Sequence, residues 1–220
     1  MATAKTTQTR PVLLSLISIS LVLLQAISAV DSHEGEDSNA IDFIRTSCNA
    51  TLYPDVCYAS LSRYAYTIQQ SPAKLARVAV AVSLSRARRI ASYISNLSRQ
   101  PDSEAAFDQE TAAVLKDCKS TFGDAIDQMK RSNSEMLNLD LTSHSQGSLR
   151  FLMSNVQTWM SAALTNEDTC TDEFGDVPDG SVKSDVCDRV VNGRMLTSNA
   201  LALVNSFVAA TEAEAPSSTP

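Results

Sequence analysis

The residues best equipped for chemistry are few. Five cysteines (Cys48, Cys57, Cys118, Cys170 and Cys187) and two histidines (His33 and His144) stand in 220 residues. Structural zinc and dithiol redox chemistry need C-x-x-C pairs, or cysteine and histidine at ligand spacing. No such spacing occurs here. A di-iron helical bundle needs Glu-x-x-His repeats, and the chain has none. The nucleophile elbow G-x-S-x-G, the phosphate-binding Walker loop and the dinucleotide fingerprint are missing as well. The expectation is no catalytic residue, no metal and no cofactor.

The charged clusters point the same way. Arg86, Arg88 and Arg89 form the densest basic run, expected as a solvated helix face with local ion pairs. Glu167, Asp168, Asp172, Glu173 and Asp176 form an acidic stretch. Two carboxylates can work as acid and base only inside a cleft, which a small closed bundle seldom offers. Trp159 is expected in the core. With 18 Lys+Arg against 25 Asp+Glu the formal net charge is −7. That balance excludes a nucleic-acid partner, because phosphate binding needs a basic face.

A targeting segment precedes the fold. Residues 1–11 carry Lys5 and Arg10 and no acid, and Val12–Val30 is almost wholly apolar, closing on Ala26, Ser28 and Ala29. This is the layout of a secretory signal peptide, assigned to residues 1–29, with no membrane contact after cleavage. Removing its two cations leaves 16 bases against 25 acids, a net −9. An oxidising compartment makes disulfides the default. A Cys48–Cys57 bridge would staple a tight turn, and a Cys118–Cys170 bridge would tie two helices. Cys187 would then be unpaired, either packed as a small apolar residue or linked to another thiol. Asn49-Ala50-Thr51 and Asn96-Leu97-Ser98 are acceptor sequons, so Asn49 and Asn96 are candidate glycan sites.

The elements that must position these residues read as helices. Residues 30–38 are polar and expected disordered. Residues 39–63 form a helical hairpin around Pro54. Ser71-Pro72 opens a long helix with Ser as N-cap and Pro in the first turn. Leu75, Val78, Val82, Ile90, Ile94 and Leu97 recur at helical spacing. A second helix restarts at Asp102-Ser103 and carries Phe107, Thr111, Val114, Cys118, Phe122, Ala125 and Met129 on one stripe. The polar run 132–145 is expected to break it. Ser143 and Gln146 have capping-box spacing for a third helix, with Leu149, Leu152, Val156, Trp159 or Met160, and Ala163 inward. After the loop 175–180, a fourth runs from about Ser181 to Ala210, and residues 212–220 form a disordered tail. Four amphipathic helices with short links predict an all-α, up-down-up-down four-helix bundle over 71–211, with the hairpin as an appendage. The Tyr64–Ser71 link looks short and polar, so a homodimer through an exchanged hairpin is compatible with the sequence.

Several blocks now carry a resemblance. FIRTSCNATLYPDVC at Phe43–Cys57, AVLKDCKSTFGDAIDQM at Ala113–Met129, VQTWMSAALTNEDTCTDEF at Val156–Phe174 and SNALALVN at Ser198–Asn205 together resemble the plant invertase and pectin methylesterase inhibitors. The resemblance spans nearly the whole chain after the leader. It implies a disulfide-tied four-helix bundle with an N-terminal hairpin, the pairs Cys48–Cys57 and Cys118–Cys170, and Cys187 outside the pattern. Invertase inhibitors carry Pro-Lys-Phe some seventeen residues before the fourth cysteine. Met153-Ser154-Asn155 stands at that place, so the resemblance favours the esterase branch. The implied function is a secreted, apoplastic inhibitor that binds pectin methylesterase 1:1 and covers its substrate cleft, not an enzyme. Invertase inhibition and a non-inhibitory extracellular binding module are the alternatives. The contact residues would lie on outward faces of the second to fourth bundle helices, with Thr111, Asp117, Thr121, Asp124 and Asp127 as candidates.

Overall fold

The computed structural model describes residues 38–99, 108–141 and 145–213. The signal segment, His33, His144, Ser143, Phe107 and residues 214–220 lie outside the described residues. Helix α1 spans 38–48 and, after a turn, α2 spans Pro54–Leu61. A 3-10 turn, Ser62–Tyr64, leads to the one-turn helix α3, Ala65–Ile68. Four long helices follow: α4 Pro72–Leu97, α5 Gln109–Leu141, α6 Gln146–Glu173 and α7 Ser181–Ala213. Each long helix packs on two others, α4 on α5 and α7, and α6 on α5 and α7. The result is the expected up-down-up-down bundle.

Local chemistry explains the starts. Ser71 Oγ accepts the Lys74 N–H at 3.3 Å, with Pro72 in the first turn, where its missing donor costs nothing. Asp108 Oδ1 accepts the Thr111 N–H at 2.7 Å ahead of α5, and this bond holds the Asp108 carboxyl below the usual carboxylate range. The N-cap of α6 is Ser145, which accepts the Ser148 N–H at 3.3 Å. The expected Ser143 start is therefore moved by two residues.

Four expectations are corrected. The run 132–141 does not break α5. Ser132 and Met136 are buried, and the Ser132 hydroxyl donates back to Gln128 O at 3.1 Å, so the helical stripe passes through polar sequence. The link before α4 is not simply polar: Ala65 and Ile68 are buried and helical. Trp159 is only half-buried, and Met160 takes the core position. The last helix also runs to Ala213, into the segment read as tail.

The core is unusually soft. Met129, Met136, Met153 and Met160 are all essentially inaccessible, alongside Phe122 and Phe174. Methionine fills irregular gaps at low strain but specifies packing weakly. Covalent and polar ties supply the specification. Cys48 and Cys57 are bonded across the hairpin, Cα atoms 5.5 Å apart. Cys118 and Cys170 join α5 to α6, Cα atoms 4.6 Å apart. Three cross-links set the antiparallel register of α6 and α7: Arg150–Glu212, Gln157–Asn205 and Asp168–Arg194. As the first partner advances along α6, the second recedes by the same number of residues.

The hairpin is clamped to its own bundle. Asn199, buried on α7, accepts the Tyr53 N–H at 3.1 Å and donates to Tyr53 O at 2.9 Å. Both polar groups of an irregular loop residue are thereby satisfied away from water.

Candidate functional site

Helix α6 has one face for the core and one for a partner. Met153, Val156, Met160, Ala163, Glu167 and Cys170 are buried at steps of three and four. On the opposite side Phe151, Ser154, Thr158, Ser161 and Thr165 recur at the same steps and are exposed. This outer ridge is one aromatic ring, 66% exposed, followed by four short hydroxyl side chains and no charge. Ser154 and Thr158 donate to Phe151 O and Ser154 O, both at 2.8 Å, and Thr165 donates to Ser161 O at 3.2 Å. Those protons are spent on the helix, so the outward lone pairs act as acceptors. Short side chains lose little rotamer freedom on contact. A stiff, uncharged ridge of this kind suits docking against a protein at low ordering cost.

Acidic residues are exposed on α5, the helix packed against α6. Asp117, Asp124 and Asp127 are exposed and Thr121 is half-buried. Thr111, also an expected contact residue, is only 7% exposed and faces inward at the start of α5, so it leaves the contact set. Lys130 hydrogen-bonds Asp127 at 2.8 Å and holds its carboxyl below the usual range. Glu173 is pushed the other way, by burial and then by the neighbouring Asp117.

The acidic stretch is not uniform in its burial. Glu167 is wholly inaccessible, and neither carboxylate oxygen has a hydrogen-bond partner. It packs beside Gly193, near Arg86 and Ile90. The nearby Arg194 guanidinium engages Asp168 instead. Burial raises the Glu167 pKa to about 8, with the neighbouring Asp168 adding to the rise and Arg194 only partly opposing it; the Thr197 hydroxyl donates to Gly193 O instead. The sequence held a signal for this: position 167 falls on the stripe Val156, Met160, Ala163, Glu167, Cys170, Phe174. A charged residue type conceals such a position, because an unpaired acid is rarely buried in charged form.

The remaining predicted residues are scattered. Cys187 is left as a thiol on α7, half-buried, and burial raises its pKa. Asn49 and Asn96 are both exposed. Arg88 and Arg89 are exposed and Arg86 is half-buried. Among the described residues none of the three forms the expected ion pair; Arg89 Nη2 donates to Ser85 Oγ at 3.1 Å instead. No cluster of three or more His, Cys, Asp or Glu among the described residues could hold a metal. No described helix is long and apolar enough to cross a membrane.

Comparison with known proteins gives a consistent picture. The family model described as plant invertase/pectin methylesterase inhibitor matches residues 42–203. A "21 kDa protein" of Daucus carota is 43% identical over 194 residues, covering 87% of this chain and 93% of the relative. "Pectinesterase inhibitor 11" of Arabidopsis thaliana is 39% identical over 195 residues, covering 88% and 94%. A crystal structure of a pectin methylesterase inhibitor from Arabidopsis thaliana superposes with a TM-score of 0.51 at 18% identity, over 74% of this chain and 95% of that one. At that identity the superposition supports the fold alone.

Proposed function

This chain belongs to the plant invertase/pectin methylesterase inhibitor family, and from that membership we propose that it inhibits pectin methylesterase by non-covalent complex formation. The observation that carries the reading is the near end-to-end similarity to a relative named as a pectinesterase inhibitor. The protein acts as an inhibitor and not as an enzyme. Its site of action is the cell wall, reached by secretion and removal of residues 1–29. The inhibitor domain runs from residue 39 to the end of the last helix at Ala213, with a glycan at Asn96 rather than at Asn49.

Inhibition by this chain requires a surface, not chemistry. The outer ridge of α6, with the exposed acidic residues of α5, lies against the rim of the esterase's substrate cleft and shuts out polymeric pectin. One inhibitor covers one esterase. The acidic balance of the chain suits a basic esterase, raising the association rate more than the affinity and doing so less in salt.

The test is a paired titration against a plant pectin methylesterase and a cell-wall invertase. Stoichiometric loss of methanol release with sucrose hydrolysis untouched is the expected result. Thr158→Trp and Ser161→Arg on the ridge should each weaken inhibition by about tenfold or more without changing Tm, as bulk or charge forced into a tight contact does. Full inhibition by both variants overturns the ridge as contact surface. Inhibition of invertase alone overturns the choice of enzyme.

A further inference from the structure

A second surface feature lies where the hairpin meets the bundle. It is a cleft of about 310 Å³ with Ser60 of α2, Arg63 of the 3-10 turn, Arg86 and Arg89 of α4, and Asn192 and Leu196 of α7 among its walls. That volume is at the lower end of the range for small-molecule sites. Helix α6 contributes nothing to it.

The charge in the cleft runs against the rest of the molecule. Three arginines converge there, and no Asp or Glu is among the described lining residues. In a chain of formal charge −7, such a gathering leaves like charges without a counter-ion. Arg63 and Arg86 form no ion pair among the described residues. Arg63 stacks over the Tyr64 ring at 5.1 Å, and Arg89 gives one donor to Ser85. Each guanidinium has five donors, so most are left for a ligand. Glu167 and the aliphatic stem of Arg86 both flank Gly193, but no ion pair joins them among the described residues, and burial drives the Glu167 carboxyl towards its neutral form.

Acceptors complete the set. Asn192 Oδ1 is buried and has no hydrogen-bond partner. An unmet buried acceptor is costly, and a donor that reaches it is correspondingly favoured. Ser60 spends its proton on Cys57 O at 2.9 Å, leaving its lone pairs to accept. A bare oxyanion answers the arginines and leaves Asn192 unpaired. A sugar acid answers both, with its carboxylate on the guanidinium forks and its hydroxyls on Asn192 and Ser60, while Leu196 and Val82 meet ring C–H groups.

We propose that this cleft is a binding site for a carboxylate-bearing sugar, the uronate unit of demethylated pectin. Pectin methylesterase hydrolyses a methyl ester to a carboxylate and methanol, so the ligand is of the class that the enzyme's action releases on the polymer. The site goes beyond inhibition and can be tested without the esterase, so the two readings stand or fall separately.

The experiment is calorimetric titration of the disulfide-bonded protein with trigalacturonate, its fully methylated ester and inorganic phosphate. Saturable one-site binding of trigalacturonate is expected, with the ester silent and phosphate weaker by about tenfold or more. Arg86→Gln should weaken trigalacturonate binding by about tenfold or more. The double variant Arg63→Ala/Arg89→Ala alters two exposed side chains, should keep the wild-type Tm, and should weaken binding at least as much. Lack of saturable binding of trigalacturonate at millimolar concentration overturns the proposal. So does wild-type affinity in the double variant, or equal affinity for the ester or for phosphate.

Discussion

Glu167→Gln should turn a protein whose stability falls with rising pH into one that holds its stability. The carboxyl of Glu167 is fully buried without a hydrogen-bond partner, and its pKa rises to about 8 from 4.5 in the unfolded chain. A pKa raised on folding means that the native state holds the proton more tightly. Its contribution is fully present below about pH 4.5 and is lost as pH rises through about 8. Each pH unit inside that window costs about 1.4 kcal/mol, so between pH 5 and pH 7 the loss is about 2–3 kcal/mol. For a domain of this size that corresponds to roughly 5–10 °C in Tm. Glutamine keeps the volume and cannot ionise. The assay is denaturant unfolding of both proteins at pH 5, 6, 7 and 8. The difference between them isolates position 167, because every other titrating group is shared. The variant should gain on the wild type as pH rises, by about 2–3 kcal/mol between pH 5 and 7. Parallel curves would refute the reasoning and show that the carboxyl reaches water or a cation in solution.

Four further outcomes follow from the geometry. Replacing Cys118 and Cys170 together by alanine opens a loop of 52 residues and should cost about 4 kcal/mol by chain entropy, read from the midpoint of denaturant unfolding. Asn199→Ala strands the Tyr53 N–H and should cost about 2 kcal/mol, with faster hydrogen exchange across 38–68 and little change in α5. Gln69 has φ 56°, a backbone region that favours glycine, so Gln69→Gly should stabilise by about 1 kcal/mol despite losing the Lys74 contact. Glycan release should give a larger mass change in Asn49→Gln than in Asn96→Gln, because Thr51 of the first sequon is buried and donates to Cys48 O at 2.8 Å, while Asn96 is exposed at the end of α4.

Much of the architecture was legible in the spacing of residues. The step from Ser71 to Pro72 placed the start of α4, and the stripe through Cys118, Phe122, Ala125 and Met129 gave the inward face of α5. Both follow from short-range geometry, since a cap or a helical stripe is complete within a few residues. The misreadings came from composition. The polar run 132–141 looked like a break, but Ser132 and Met136 are buried and Leu139 packs against the core. Ala65 and Ile68 were hidden in a link that seemed polar. Trp159 and Met160 are adjacent, and only the rotation of α6 against its neighbours decided which one is inside.

The candidate surfaces divide along the same line. Residue order alone specifies an acidic, helical chain with cysteines spaced for two bridges, and its blocks carry the family resemblance. These are properties of residue order, and they survive any rigid rearrangement of the helices. Helix packing is what buries Glu167, sets Asn199 against Tyr53 and gathers Arg63, Arg86 and Arg89 around one cleft with Asn192. Each of those meetings brings together residues from different elements, and Tyr53 and Asn199 are 146 positions apart. Their contact depends on the register and rotation of packed helices, which arise from the sum of many weak side-chain fits and leave no periodic mark on the chain.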